Sequence, residues 1–218
     1  RQVGRRAIVT FAGIVVRPES DVYTAQQLAG KLIGVPFFFG THYLTLHMLE
    51  GFMARDQIKL CKAPNGSRYR YEAMLSGEVE ATTLTEPYLS LAVKNGCRVV
   101  CSAFYHGTEV ASDRVDADTY ARFNRAVKEA VKRVSADKLK YAQYFIDYHK
   151  GKDPEIGELK ASDIPLGHIV VVDPAPIPEH ELAATAEWIK SWGMLEDTED
   201  HLDLVNMEVQ IGGHAAAE

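Results

Sequence analysis

The sequence predicts an α/β protein built on a parallel-rich sheet. Between Leu28 and Ala103, short apolar runs alternate with helical patterns in the order βαβαβαβ. Each connection there is long enough only for a crossover helix, so successive strands run the same way with helices on the sheet faces. After His106 the texture changes to amphipathic helices that bring few strands, and a helix with one apolar face needs something to cover.

Residues 7–16 (AIVTFAGIVV) are β-branched and apolar, interrupted by Gly13 and stopped by Pro18, and read as one bent strand or two short ones. Glu19, Ser20 and Asp21 form a turn, and residues 24–28 make one helical turn with Thr24 as its cap. A strand at 32–35 ends at Pro36, and the small-residue elbow Gly40-Thr41 opens a helix over 41–55. Leu44, His47, Met48 and the Gly51/Phe52 pair recur on its buried face, with His47 half-buried. Residues 58–63 (IKLCKA) form a second strand, closed by Pro64-Asn65-Gly66. Ser67 then caps a helix to Leu75, with Tyr71, Met74 and Leu75 inward and Gly77 as its stop. A third strand at 79–84 leads into Thr85-Glu86-Pro87-Tyr88 and a helix over 87–94, which closes at Asn95-Gly96. Residues 98–103 (RVVCSA) are the fourth strand.

Beyond His106, residues 118–134 form a strong helix with Tyr120, Phe123, Ala126/Val127 and Ala130/Val131 on one side. A second helix covers 136–148, stopped by Gly151 and Pro154, and a short third fits 154–159. An apolar run at 169–172 leads into the extended, hinge-like DPAPIP of 173–178. The last amphipathic helix spans 178–192 and closes at Gly193. Residues 194–205 wrap the surface, and the tail 211–218 frays.

Bulk properties exclude several function classes. A chain of 218 residues makes one or two domains with a proper core. The formal charge of −6, with no basic stripe interleaved with aromatics, argues against nucleic acid. No apolar run reaches the ~20 residues of a membrane-spanning helix, so direct membrane insertion is not expected. No signal peptide is visible in a chain that opens on Arg1 without an initiator Met, which says nothing of location. Cys97 and Cys101 lie four strand steps apart, about 13 Å, too far to be bridged. With Cys61 they read as small buried hydrophobes rather than metal ligands. G-x-S-x-G, P-loop, G-x-G-x-x-G and H-E-x-x-H patterns are absent, and His180-Glu181 lacks a second His. Neither a cofactor nor a metal is expected.

Two stretches carry a resemblance: Ala25-Gln-Gln-Leu-Ala-Gly-Lys-Leu-Ile-Gly-Val-Pro36, and Tyr71-Glu-Ala-Met-Leu-Ser-Gly-Glu-Val-Glu-Ala-Thr-Thr-Leu-Thr-Glu-Pro-Tyr88. They resemble the solute-binding proteins of the sulfonate, taurine, nitrate and thiamine-pyrimidine-precursor group, which have the periplasmic binding protein type II fold. The match runs over residues 16–103, with weaker echoes at 118–134 and 188–205, and is more specific for the fold than for the ligand. Glu80 stands where the family usually has Asp. The resemblance implies a complete, parallel-rich α/β lobe two at 17–104, bearing ligand-facing elbows. It also implies a partial, helix-rich lobe one at 1–16 and 105–218, without the family's N-terminal βαβ units.

Candidate site residues lie at the C-terminal strand ends, where α/β sheets place ligands. Gly40, Thr41, His42 and Tyr43 set free backbone N–H groups at the positive end of a helix. His42 either donates to an anion or caps its own helix at the surface. His47 lies on another helical face and makes no i, i+4 metal pair with it. Asn65, Gly66, Ser67, Arg68 and Arg70 combine a Ser cap with arginines suited to a sulfonate, carboxylate or phosphate; alternatively both arginines are solvated charges beside Tyr69 and Tyr71. Among Thr85, Glu86 and Tyr88, Glu86 binds a cationic or hydroxyl group, caps the helix begun by Pro87, or does both. All three elbows follow strands of one parallel sheet and should converge on one edge.

The resemblance implies the solute-binding component of an ABC-type importer. Its ligand would be a small organic anion or heteroaromatic compound (a sulfonate, nitrate-like or pyrimidine precursor) held in an interlobe cleft. An ABC permease would be its partner and its location extracytoplasmic. The alternative is a cytoplasmic enzyme on the same scaffold, desulfinase-like or pyrimidine-synthase-like, acting on a small sulfur- or nitrogen-containing molecule. The Cys motifs of those enzymes are absent from this sequence. A regulatory ligand-binding domain is a third reading.

Overall fold

A computed structural model of the chain describes residues 1–63, 65–196 and 201–210, except for the side chains of His201 and Leu202. Pro64, part of the expected 194–205 wrap and the 211–218 tail lie outside the described residues. In chain order the elements are β1 (Gln2–Val16), β2 (Leu32–Val35), α1 (Gly40–Glu50), β3 (Lys59–Lys62), α2 (Ser67–Leu75) and β4 (Ala81–Thr85). There follow α3 (Tyr88–Lys94), β5 (Arg98–Val110), α4 (Ala117–Ala136), α5 (Lys138–Lys150), β6 (Val170–Val171) and α6 (Glu179–Ser191). The chain forms two compact units: Arg1–Val9, His106–Ala136 and Val171–Glu218 make unit one, and Thr10–Tyr105 with Asp137–Val170 make unit two.

The strand order is β3-β2-β4-β1-β5, with β6 pairing to β1. β2 is parallel to β3 and to β4, with Leu32 opposite Lys59 and Ile33 opposite Ala81. β1 lies antiparallel to β4, with Ala12 opposite Thr85 and Val16 opposite Ala81. Phe11 meets Phe104 while Gly13 meets Val99, so β5 runs antiparallel to β1 and in the same direction as β4. The expected parallel set is therefore present, with β1 inserted between its third and fourth members. β1 is one continuous strand. Gly13 does not break it: a Cβ there would stand 3.0 Å from Val99 and 3.2 Å from Leu89, so the glycine permits close packing.

The core of unit two gathers Val15, Met74, Leu84, Leu89, Leu91, Ile146, Ile156 and Ile164, all buried. Burying each of these side chains fully is worth about 1.5–3 kcal/mol. Residues 137–170 thus pack with α2 and α3, and polar anchors follow the apolar ones. Lys94 Nζ donates to the Glu158 carbonyl (2.6 Å) and to Asp163 (2.8 Å).

Several local expectations change. α1 stops at Glu50, because the low-propensity Gly51 ends it and the Leu49 carbonyl receives both Phe52 and Met53 N–H. Its buried face consists of Thr41, His42, Leu44, Thr45, Leu46, Met48 and Leu49, while His47 and Phe52 are exposed. In α2, Tyr71 and Met74 are buried as expected, but Leu75 is exposed and Arg70 takes the inward place. Ser67 is the first helical residue, following Gly66 at φ 122°, a conformation that suits only glycine. The Thr24 cap works through its partner: Gln27 Oε1 accepts from Thr24 N–H (3.0 Å) and Tyr23 N–H (2.8 Å). Cys97 is buried while Cys61 and Cys101 are half-buried; all three are unbridged, and burial pushes each thiol pKa up.

In unit one, Val3, Tyr120 and Val209 form a small buried cluster, and Val172 N–H donates to the Ala7 carbonyl at 2.8 Å. Arg5 and Glu181 form an ion pair. On α4 only Tyr120, Ala121 and Asn124 are buried among the described side chains, and Phe123 is exposed. Among the described residues no helix is long and apolar enough to cross a membrane, and no group of His, Cys, Asp and Glu is arranged to hold a metal ion.

Candidate functional site

The first elbow joins β2 to α1. Phe38 sits at φ 65°, left-handed backbone that is uncommon for a bulky residue and is found where surrounding contacts hold it. Its N–H donates to His42 Nδ1 at 3.1 Å, and the Phe37 ring stacks on the imidazole at 4.9 Å. His42 is 6% exposed, so it is not a surface cap but a buried ring that ties down the elbow ahead of its own helix. The bond at Nδ1 places the ring proton on Nε2, and burial lowers the imidazole pKa. Gly40 is exposed, and a Cβ there would come within 3.2 Å of the Tyr105 ring. Tyr43 is half-buried, and burial raises its phenol pKa. Thr45 Oγ1 donates to the Thr41 carbonyl at 2.6 Å and lies 2.5 Å from Thr83 Oγ1, which binds α1 to β4.

The second elbow joins β3 to α2. Asn65 is exposed, and the Tyr69 ring packs against Gly66. Arg70 Nε donates to the Thr83 carbonyl (3.2 Å), and its Nη2 donates to Ser67 Oγ (3.3 Å). Only 3% of Arg70 is exposed, and among the described residues no carboxylate pairs with it. Desolvation brings its pKa down to about 10, opposed by the nearby Tyr105. Arg68, two residues earlier, faces acid instead: Glu72 at 2.8 Å, Asp153 at 3.5 Å and Glu155 at 3.8 Å.

The third elbow follows β4. Glu86 caps α3, accepting from Ser90 N–H (3.1 Å) and Ser90 Oγ (3.0 Å), and it also meets His168 Nδ1 at 2.6 Å. The carboxylate is therefore a cap with a further polar partner. Thr85 is half-buried opposite Ala12. Tyr88 is 2% exposed, and its hydroxyl donates to Glu155 at 2.5 Å. Burial and that acidic partner push its pKa far up.

Contacts thus link Thr41, through Thr45, to Thr83, and Arg70 to both Thr83 and Ser67, while Gly40 and Arg70 each lie near Tyr105. Arg68 and Tyr88 instead serve a second patch, as sockets for the 153–155 turn. Tyr105 and His168 carry no sequence signal that points to this site. Tyr105 lies in the part of β5 beyond the expected end at 103, and His168 arrives from 82 positions away with no local motif.

No protein-family model matches the sequence, and no curated protein matches it. Solved structures do. The alkanesulfonate-binding protein SsuA from Xanthomonas axonopodis pv. citri, bound to MOPS, is 17% identical with a TM-score of 0.61, over 94% of this chain and 73% of that one. The periplasmic sulfonate-binding protein SsuA from Methylobacillus flagellatus KT is 13% identical with a TM-score of 0.64, over 99% and 68%. The periplasmic aliphatic sulphonate binding protein SsuA from Escherichia coli is 18% identical with a TM-score of 0.58, over 94% and 75%. The α/β fold of this chain is that of the type II periplasmic binding proteins.

Proposed function

We propose that this chain is a solute-binding protein that captures a small organic anion at the elbow edge of the unit-two sheet. Arg70 carries the reading. A buried cation is costly unless it is paired, and here its described partners are one carbonyl and one hydroxyl. An incoming anion supplies the missing charge, and the N-termini of α1 and α2 add the positive ends of two helix dipoles. Gly40, Thr41 and Ser67 then offer backbone N–H groups beside it, with His42 Nε2–H as a further donor. The structural neighbours are sulfonate-binding proteins, which makes a sulfonate head the first class to test. By the same likeness, the partner is an ABC permease and the location extracytoplasmic.

The test is a melting-temperature screen of the chain against sulfonates, carboxylates, nitrate and pyrimidines, with each mixture analysed for product. Small sulfonates are expected to raise Tm without turnover. A screen in which no anion raises Tm overturns the reading, and product formation replaces it with an enzyme on the same scaffold.

A further inference from the structure

Helix α5 packs into unit two through Ala142 and Ile146, and its opposite face is exposed. That face carries a stripe at helical spacing: Lys140, Tyr144, Tyr148 and, just past the helix end, Lys152, with Tyr141 beside it. Tyr144 is 57% exposed and Tyr148 62%. The lysines and rings hold one another in place. Lys140 Nζ lies 5.8 Å from the Tyr141 ring centroid and 5.9 Å from that of Tyr144, and the two rings meet edge-on at 5.7 Å. Lys152 Nζ lies 4.4 Å from the Tyr148 ring centroid and donates to its hydroxyl at 2.7 Å. Among the described residues neither lysine forms an ion pair, because the neighbouring acids are engaged elsewhere. Asp137 caps α5, Asp147 pairs with Lys150 and accepts from Gln143, and Asp153 faces Arg68 at 3.5 Å. Scattered exposed rings are ordinary, but a contiguous aromatic stripe with a cation at each end marks an interaction surface.

We propose that this stripe lays α5 lengthwise on an anionic lipid bilayer, so that unit two adsorbs to a membrane surface without spanning it. Tyrosine suits the boundary between headgroups and acyl chains, because its ring is apolar and its hydroxyl wet. Lysine reaches the lipid phosphates on a long apolar stem that can lie along the same boundary. A surface that is negative throughout matches cations at both ends of the stripe. A second copy of the chain matches it poorly, since two α5 helices packed face to face in either direction bring lysine ends against lysine ends. The whole chain carries a formal charge of −6, so attraction to an anionic bilayer has to come from a local face and not from bulk charge. None of this depends on what the sheet edge binds.

The experiment is co-sedimentation of the chain with vesicles of phosphatidylcholine alone and of an equal mixture of phosphatidylcholine and phosphatidylglycerol. Binding to the mixed vesicles is expected to be at least about tenfold stronger, and to fall when NaCl is raised from about 0.1 M to about 0.5 M. Each lysine near such a surface contributes about fivefold, so Lys140→Glu with Lys152→Glu should weaken binding by about 25-fold or more. Tyr144→Ser with Tyr148→Ser leaves the charge unchanged and should still cost about tenfold, which separates this stripe from a general electrostatic attraction. Arg125→Glu with Lys132→Glu makes the same charge change on the exposed side of α4 and should alter binding by less than about threefold. All six side chains are exposed, and thermal melts confirm that each variant is folded. No binding to the mixed vesicles, or equal binding to both compositions, overturns the inference. So does an equal loss in the α4 and α5 charge variants, or undiminished binding in the folded tyrosine variant.

Discussion

Arg68 and Arg70 stand two residues apart on α2, and their surroundings differ in kind. Arg68 is partly exposed and meets three carboxylates, one from its own helix and two from the 153–155 turn. Arg70 is buried against a carbonyl and a hydroxyl, with a tyrosine nearby. A salt-bridge census would rank Arg68 as the important residue. Desolvation argues the reverse: exposed pairs contribute little, whereas a buried cation without an acid lacks something. One side of α2 is stitched to its neighbour, and the other buries a cation that meets no acid among the described residues, the charge we propose a ligand would match.

Substitutions that separate the two sides should differ in size. The largest effect is expected for Arg70→Met, which should weaken sulfonate binding by about 100-fold, while its Tm stays at or above the wild-type value because an unpaired buried charge is gone. Thermal melts and calorimetry on one preparation check both halves. Tyr88→Phe should do the opposite. It leaves a Glu155 oxygen without its donor, costing about 1 kcal/mol in urea unfolding, and it leaves binding intact.

On the site side, acid should act through His42. Burial depresses its folded pKa below 6.5, so the unfolded chain binds the proton more readily. The stability it contributes is complete above pH 6.5 and is lost as the pH falls through the depressed value. His149, also lowered by burial, adds to the same slope. His42→Gln should therefore flatten, without abolishing, the fall in Tm between about pH 7 and pH 5. The smallest effect belongs to Arg68→Ala, whose Tm is expected to stay close to the wild-type value because the side chain is 43% exposed.

Local punctuation made the frame of the site legible. The strand over Leu32–Val35 was readable to its last residue, because Gly30 and Pro36 bracket an apolar run. The elbows followed from glycine, serine and proline at the strand ends. The insertion of β1 between β4 and β5 was not readable, since its pairing joins Ala12 to Thr85 across 73 positions and leaves no periodic trace. For Arg70 the sequence offers two readings, an anion clamp or a solvated charge; its place four residues before the inward Met74, on the same helical face, is the signal that excludes solvent. His168 offered nothing local. Its role exists only because a distant turn lands on Glu86.

The central claim is that the two arginines of α2 divide structure from ligand capture. Titrating one small sulfonate into the wild type, Arg68→Ala and Arg70→Met under identical conditions tests it most directly. The account predicts affinities within about threefold for the wild type and Arg68→Ala, and a loss of about 100-fold in Arg70→Met. Undiminished binding in Arg70→Met, or an equal loss in both variants, would contradict it.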